Sequence, residues 1–198
     1  VYKRQGQQIT EAIRAHEEVD HRSAIQRALQ MLERVQIPQA RRRYDAYPHE
    51  LSGGMRQRAM IALALACKPR LLLADEPTTA LDATVQIQIL LLLRELQKET
   101  GMSVIFVTHD IGAAVEVADR IAVMYGGRIV EENTVSGIVH SPRHPYTAGL
   151  LASTVGTENR GKPLLAVPGS PPDLSALPPG CSFAPRCSNA QELSLIHI

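Results

Sequence analysis

The stretch Leu71-Leu72-Leu73-Ala74-Asp75-Glu76 decides the fold of this 198-residue chain. A short, continuous apolar run between breakers predicts a strand that is buried on both faces of a parallel sheet. Its terminal carboxylates are then expected at the carboxyl edge of the sheet, where open α/β folds bind ligands. Asp75 is suited to hold Mg²⁺ through water, and Glu76 to orient or deprotonate a water that attacks a γ-phosphate. The alternative is a pair of solvated acids at a strand end.

Helices and strands are predicted to alternate along the chain. Apolar spacing predicts two helices between Gln8 and Val35, split near Asp20, and a third from Met55 to Cys67. Further on, the pattern predicts a helix over Ala83–Thr100 closed by Gly101, a second buried strand over Ser103–Thr108, a helix over Ile111–Ala118, and a strand over Ile121–Tyr125 that turns through Gly126-Gly127 into residues 128–132. This order predicts the α/β class.

Composition narrows the class of protein. Hydrophobic residues make up 44% and charged residues 21%, as in soluble globular proteins, and the formal net charge of +1 argues against a nucleic-acid partner. No apolar stretch has the length of a membrane span or a signal peptide, so we expect a cytosolic protein. Seven of the thirteen prolines lie between Pro163 and Pro185, which predicts an extended tail after His140.

A second candidate binding segment is Ser52-Gly53-Gly54, which directly precedes a predicted helix. A hydroxyl, two backbone positions without side chains and helix N-terminal N–H groups form a competent anion cradle. Ser52 is also placed to cap the helix, and a capped helix after a Gly turn is the simpler interpretation of these three residues alone.

Four motifs in one order resemble those of the ABC ATPase family. They are Leu51-Ser52-Gly53-Gly54-Met55-Arg56-Gln57-Arg58, then Leu71 to Pro77, then Ala80-Leu81-Asp82, then His109. The resemblance covers about Gln8 to Cys187. It implies a P-loop NTPase-type parallel sheet with flanking helices, a small helical subdomain and a Pro-rich C-terminal extension.

The resemblance also implies roles for individual residues. Ser52, Gly53, Gly54 and Gln57 match the signature that caps ATP bound to the opposite subunit. Asp75 matches the aspartate linked to Mg²⁺, Glu76 the catalytic glutamate, His109 the switch histidine, and Asp82 the loop aspartate that crosses the dimer interface. ATP and Mg²⁺ are the implied cofactors. For His109, a hydrogen-bonded structural histidine is the alternative.

Other segments resemble the ATPases of oligopeptide and dipeptide importers, with nickel as the alternative solute. They are Tyr47-Pro48-His49-Glu50, His144-Pro145-Tyr146-Thr147 and Cys181 to Cys187. In relatives the cysteines of this extension can bind an iron–sulfur cluster, which usually has four ligands. Cys181 and Cys187 supply two, and Ser194 stands where a third is expected, so two free thiols on a loop are the preferred interpretation.

The chain departs from the family in lacking any Gly-x-x-x-x-Gly-Lys-[Ser/Thr] loop, so we expect it to be truncated at the N-terminus. The predicted segments are residues 1–7 and 193–198 outside the family pattern, 8–68 as the helical subdomain with the signature, 69–140 as the ATPase core part, and 141–192 as the C-terminal extension.

The resemblance implies partners as well. They are a second ATPase subunit in a homo- or heterodimer, two membrane permease subunits and, indirectly, an extracytoplasmic solute-binding protein, with no nucleic acid. The implied place is the cytoplasmic face of the cell membrane, held peripherally. Two alternatives stay open: a non-catalytic fragment that only docks on a complete ATPase, and a soluble ABC ATPase that does not transport.

Overall fold

The computed structural model describes residues 3–153 and 167–190. The chain divides into two units, Val1–His109 and Asp110–Ile198. The first unit contains α1 (Gln5–His16), α2 (His21–Arg34), α3 (Ala40–Tyr44), a 3₁₀ turn (Pro48–Glu50), α4 (Gly53–Leu65), β1 (Leu71–Asp75), α5 (Ala83–Thr100) and β2 (Ser103–Val107). The second contains α6 (Ile111–Val117), β3 (Arg120–Tyr125), β4 (Arg128–Thr134), α7 (Val135–His140), α8 (Pro145–Ala152) and a 3₁₀ turn (Ala184–Arg186).

Helices α1 and α2 form where the apolar spacing predicts them. Asp20 begins α2 by accepting a hydrogen bond from the Ser23 N–H at 3.0 Å, which confirms the split near this residue. At the other end of α2, Gln36 takes the left-handed conformation with φ 60°, and the Ile37 N–H donates to the Leu32 carbonyl at 3.0 Å. Glycine is the usual residue at such a helix end, because it has no Cβ to strain.

Helix α4 begins at Gly53 and is capped by Ser52, whose hydroxyl accepts from the Met55 N–H at 3.3 Å. The capping prediction for Ser52 is therefore confirmed. The predicted end at Cys67 is wrong by two residues, since the helix stops at Leu65 and Lys68 has φ 50°. Pro69 disfavours helical geometry in Lys68, the residue before it, so the helix does not continue past this point.

Strands β1 and β2 pair in parallel, in a register that runs from Leu71 beside Ser103 to Asp75 beside Val107. One face of the pair, with Leu72, joins the same hydrophobic core as the helices of this unit. The side chains on the other face are 48–69% exposed; they are Leu71, Leu73, Ile105 and Val107. The prediction of strands buried on both faces is therefore wrong, because the packing of the described residues covers one face only.

Helix α5 has the predicted bounds. The Asp82 carboxylate caps it by accepting from the Val85 N–H at 3.0 Å, and Gly101 ends it with φ 66°. Its buried stripe packs into the same core cluster as residues of α1, α2 and α4, so the helical segment and the strand pair share one core across the predicted boundary at residue 68. The domain boundaries drawn from the sequence stay predictions.

In the second unit, β3 and β4 form an antiparallel hairpin through Gly126 and Gly127, with φ of 56° and 76°. This confirms the predicted strand and turn and gives the hairpin a sheet of its own. A register shift lies between Val123 and Met124. Across both units, no described helix is long and apolar enough to cross a membrane.

Residues 167–190 do not form the predicted extended tail. Phe183 is buried and contacts the rings of Tyr125 and Tyr146, with centroids 5.1 Å and 5.4 Å away. The Arg186 guanidinium donates to the Pro168 carbonyl at 2.7 Å and to the Val167 carbonyl at 3.0 Å. An aromatic anchor and a multidentate cation hold this proline-rich stretch in one conformation despite its lack of periodicity. Pro163 lies outside the described residues.

Glu131 of β4 is a buried carboxylate that clamps the start of α8. It accepts the N–H groups of Arg143 at 2.8 Å and His144 at 2.9 Å. Burial raises the pKa of Glu131, but hydrogen bonding lowers it further, so this pKa lies below its usual value. The buried Thr147 hydroxyl makes no hydrogen bond of good geometry, although it lies close enough to favour the charged carboxylate.

The exposed apolar face of β1 and β2 predicts self-association of the purified chain. Replacing Leu73 and Ile105 together with Lys should reduce this association, because two charges then oppose apolar contact between copies. Light scattering against concentration measures the effect. Leu72→Lys is the matched control on the buried face, and it should lower the melting temperature instead. Unchanged scattering of the double variant would show that this face does not drive association.

The Glu131 clamp predicts a stability loss on Glu131→Gln, which keeps the side-chain size but leaves one buried N–H without an acceptor. The expected cost is about 1–3 kcal/mol in thermal unfolding. Glu132→Gln is the control, since Glu132 forms only an exposed ion pair with Arg120.

The same clamp has a pH dependence of known sign. Because the folded pKa of Glu131 is lowered, its contribution is present above the unfolded value of about 4.5 and is lost as the pH falls through the folded value. The stability difference between wild type and Glu131→Gln should therefore shrink as the pH falls below 4.5. A difference that stays constant from neutral pH down to acid would contradict the clamp.

Candidate nucleotide site

The carboxyl ends of β1 and β2 bring Glu76 and His109 together. The His109 Nδ1 atom lies 3.0 Å from Glu76 Oε1, and the Thr79 hydroxyl donates to Glu76 Oε2 at 2.8 Å. Both carboxylate oxygens are thus engaged by side chains that come from different loops. The sequence resemblance implies a catalytic role for Glu76 and a switch role for His109 without predicting this contact, and both roles stay predictions.

The backbone at Glu76 is strained. Its φ of 43° is in the left-handed region, which costs a non-glycine residue energy, and its N–H donates to the Val107 carbonyl at 2.9 Å. Hydrogen bonds from His109 and then Thr79 lower the pKa of Glu76. The carboxylate is therefore charged at neutral pH and turned out of the strand direction, where it is able to orient a water molecule.

Asp75 ends β1 beside Val107 and is exposed. A solvent-facing carboxylate next to a second acid at the carboxyl edge of parallel strands fits a water-mediated Mg²⁺ ligand, because hard cations prefer oxygen donors. The described residues contain no group of three or more His, Cys, Asp or Glu side chains poised for direct metal binding. A water-mediated site with one carboxylate needs no such group.

The signature segment, defined as Ser52 to Met55, lies against the loop that begins α5. A Cβ added to Gly54 would lie 2.6 Å from Val85 Cγ1, and one added to Gly53 would lie 3.4 Å from Leu81 Cδ2. Only glycine fits at position 54 without a shift, whereas position 53 has ordinary contact distance. The first N–H groups of a helix lack partners within it, so Gly53 and Gly54 offer donors to an anion.

Two other predicted site residues have simpler surroundings. Asp82 is exposed and caps α5, which gives it a structural role whether or not it also meets another subunit. Gln57 is half-buried on the first turns of α4. In the described part of the first unit, no hydrogen bond connects the signature segment with Glu76 or His109. The predicted site residues thus form two separate groups, one around Glu76 and one around Gly53.

Cys181 and Cys187 are free thiols in a chain of turns around the Ala184–Arg186 3₁₀ turn. Ser194, which stands where a third ligand was expected, lies outside the described residues. Two free thiols stay the preferred interpretation of these cysteines, with an iron–sulfur cluster as the alternative.

Sequence reasoning missed three residues, two beside these sites and one in the second unit. Thr79 orients Glu76, and a Thr two residues after an Asp-Glu-Pro turn is the signal that points to it. Arg58 is a buried cation next to the signature segment, and Glu131 is the buried clamp in the second unit. No sequence signal separates Arg58 and Glu131 from the exposed charges around them, because their burial depends on distant elements.

Two known families match the chain. The family described as "ABC transporter" matches residues 1–79, and the family described as "Oligopeptide/dipeptide transporter, C-terminal region" matches residues 130–193. The chain belongs to the ABC transporter ATPase family. The sequence resemblance and the predicted α/β class are thereby confirmed.

Curated relatives of this chain are named for peptide import or oligopeptide transport. The Oligopeptide transport ATP-binding protein OppD of Bacillus subtilis is 54% identical over 189 residues, which are 95% of this chain and 53% of that protein. OppD of Salmonella typhimurium is 46% identical over 192 residues, 97% of this chain and 57% of that protein. The chain therefore spans just over half the length of these relatives.

Solved ABC cassettes share the fold. The dimeric MJ0796 cassette, titled a bacterial ABC transporter cassette, matches with a TM-score of 0.59 and 32% identity, covering 67% of this chain and 57% of that one. CbiO1 from Clostridium perfringens, titled as part of the ABC transporter complex cbiONQ, matches with a TM-score of 0.62 and 28% identity, covering 71% and 55%.

The contacts around Glu76 predict its titration. His109→Ala should raise the pKa of Glu76 toward the usual glutamate value, and Thr79→Ala should raise it less, because each removes a hydrogen bond that favours the charged form. Carbon-detected NMR of the glutamate side chains measures this on the isolated chain. Thr84→Ala on exposed α5 is the control. An unchanged Glu76 pKa in His109→Ala would refute the pairing.

Proposed function

We propose that this chain is part of an ATP-hydrolysing subunit of an ABC importer that brings peptides across the cell membrane. The observation that carries the proposal is the Glu76 carboxylate, held by His109 and Thr79 at the carboxyl ends of two parallel strands. Phosphoryl transfer needs positioning and charge stabilisation more than covalent chemistry, and a fixed, charged carboxylate supplies the first.

The roles of the chain's own residues follow from their chemistry. Asp75 is the candidate to hold Mg²⁺ through water, and this ion supplies neutralisation of phosphate charge when bound. Glu76 would orient or deprotonate the attacking water, and His109 fixes the carboxylate by its contact with Oε1. These roles describe the half of a nucleotide site that acts on phosphates held by a phosphate-binding loop. No such loop sequence occurs in these 198 residues.

The signature segment acts on a nucleotide bound to a second ATPase subunit. Ser52, Gly53, Gly54 and Gln57 present a hydroxyl, free N–H groups and an amide at the N-terminal end of α4, where the helix dipole favours phosphate. The solved MJ0796 cassette is titled dimeric, and a second structure of it is titled as bound to ADP and Pi. These titles support a dimer and a nucleotide ligand for the related cassettes, and we extend both to this chain.

The transported solute and the membrane partners come from the relatives. Their names refer to oligopeptide transport, and the C-terminal match is to the oligopeptide/dipeptide transporter family. We therefore propose two permease subunits as partners, an extracytoplasmic solute-binding protein as the indirect one, and the cytoplasmic face of the membrane as the place of action.

The proposed function predicts nucleotide-dependent binding to a complete ATPase. The chain should bind the Bacillus subtilis OppD relative more tightly with Mg²⁺ and a non-hydrolysable ATP analogue than without them. Gly53→Asp should weaken this binding by about tenfold or more, because a carboxylate there repels phosphate. Biolayer interferometry measures both arms.

Gly53→Ala is the matched control, since its Cβ fits at 3.4 Å from Leu81 and adds no charge. The acidic variant should keep its melting temperature, because a carboxylate in the first turn of a helix stabilises it. Binding that is equally tight with and without the nucleotide would contradict the proposal. The chain alone should hydrolyse almost no ATP, and rapid turnover abolished by Glu76→Gln would overturn that part.

A further inference from the structure

Arg58 connects α4 to two other elements of the first unit. Its Nη1 donates to the Val35 carbonyl at 2.9 Å and to Gln36 Oε1 at 3.1 Å. Its Nη2 donates to Gln88 Oε1 of α5 at 3.4 Å. The residue is only 9% exposed. This one side chain therefore adds polar connections from α4 to the end of α2 and to α5, beside the apolar core that these helices share.

The charge of Arg58 has no carboxylate partner within the described residues. All three of its acceptors are neutral oxygens, and burial lowers the pKa of Arg58. Withdrawing a guanidinium from water without an opposite charge is unfavourable, and an apolar side chain of similar length would fill the same space at less cost. Packing alone therefore does not explain an arginine at this position.

Gln36, which accepts a hydrogen bond from Arg58, has a strained backbone conformation. Gln36 has φ 60°, where glycine would be relaxed, and its amide oxygen is one of the acceptors of Arg58. Strained positions persist where the surrounding structure requires them, and they cluster at sites of function. Gln39 shares the strain with φ 54°, but no described hydrogen bond connects it to Arg58. The hydrogen bond between Arg58 and Gln36 thus joins a buried charge without a carboxylate partner to a strained backbone.

We propose that Arg58 is a positioning residue for the signature segment, a role that rests on the proposed function. It fixes the angle of α4 and adds a positive charge behind the helix end that meets phosphate. Arg58 lies five residues after Gly53, about 8 Å along the helix axis. Because Arg58 is only 9% exposed, its charge is screened less by solvent than an exposed charge would be.

Gln36→Gly tests the positioning without removing the charge. It relieves the backbone strain and deletes one acceptor of Arg58, so its melting temperature should not fall. Its nucleotide-dependent binding to Bacillus subtilis OppD should weaken by about fivefold. Gln39→Gly is the matched control, because it makes the same backbone change without touching Arg58, and its binding should stay that of wild type.

Arg58→Met and Arg58→Lys separate charge from geometry. Lys keeps the charge but not the fork that reaches three acceptors, and Met keeps the volume without the charge. Nucleotide-dependent binding should decrease from wild type to Lys to Met, and the salt dependence should be smallest for Met. Circular dichroism identifies any variant that fails to fold, and Gln36→Gly then carries the test.

The possible results distinguish failure of the positioning role of Arg58 from failure of the proposed function. Wild-type binding affinity in Gln36→Gly, together with an unchanged melting temperature, would overturn the positioning role while the proposed function stands. Equal weakening in Gln39→Gly would overturn it too, since strain relief alone would then be the cause. A wild-type chain that binds OppD without regard to nucleotide would overturn the proposed function and, with it, the role of Arg58.

Discussion

The parallel pairing of β1 with β2 is the constraint on which the candidate site depends. The register that sets Asp75 beside Val107 also lets the Glu76 N–H donate to the Val107 carbonyl, one bond beyond the strand. That bond holds Glu76 at φ 43° and directs its side chain toward His109, 33 residues later in the chain. A slip of one residue would move the carboxylate to the other face of the sheet. The position of the Glu76 carboxylate is thus set by the pairing of the two strands.

The signature segment depends on a different set of contacts. Val85 lies so close to Gly54 that a side chain at position 54 would collide with it. Ser52 and Asp82 cap α4 and α5, the two helices that meet there. Because α4 and α5 share the core cluster, the N-terminal end of α4 is held in place by apolar packing. Close helix approach and helix capping together leave the first N–H groups of α4 directed outward. This explains why two glycines are useful there for different physical reasons.

Much of the fold follows from local sequence, because its determinants are local. Asp20, Ser52 and Gly101 mark helix ends through their own side-chain or backbone chemistry, and each lies where the sequence predicted it. The burial of only one face of β1 cannot be predicted from local sequence. A run such as Leu71 to Ala74 is equally compatible with one or two covered faces, since cover is supplied by other elements. The sequence therefore predicted the strand correctly and its surroundings wrongly.

Long-range contacts account for what else could not be predicted. Residues 167–190 lack periodicity, and their conformation comes from Phe183 and Arg186 reaching residues of distant sequence number. In the candidate site, the roles of Glu76 and His109 followed from family resemblance, and the contact between them is visible only in the structure. Thr79 was missed altogether, although it is only three residues from Glu76.

Backbone strain is concentrated in the loop that follows β1. Glu76 and Ala80 both have positive φ, 43° and 61°, and they bracket the loop that carries Thr79. Within it, the Thr79 N–H donates to the Glu76 carbonyl at 3.1 Å, while the Thr79 hydroxyl binds the Glu76 carboxylate. One residue thus bonds both the backbone and the side chain of the acid, so the loop cannot relax without releasing the carboxylate. The strain at Glu76 is offset by bonds that exist only while the carboxylate is in position, which makes its placement cooperative with the shape of the loop.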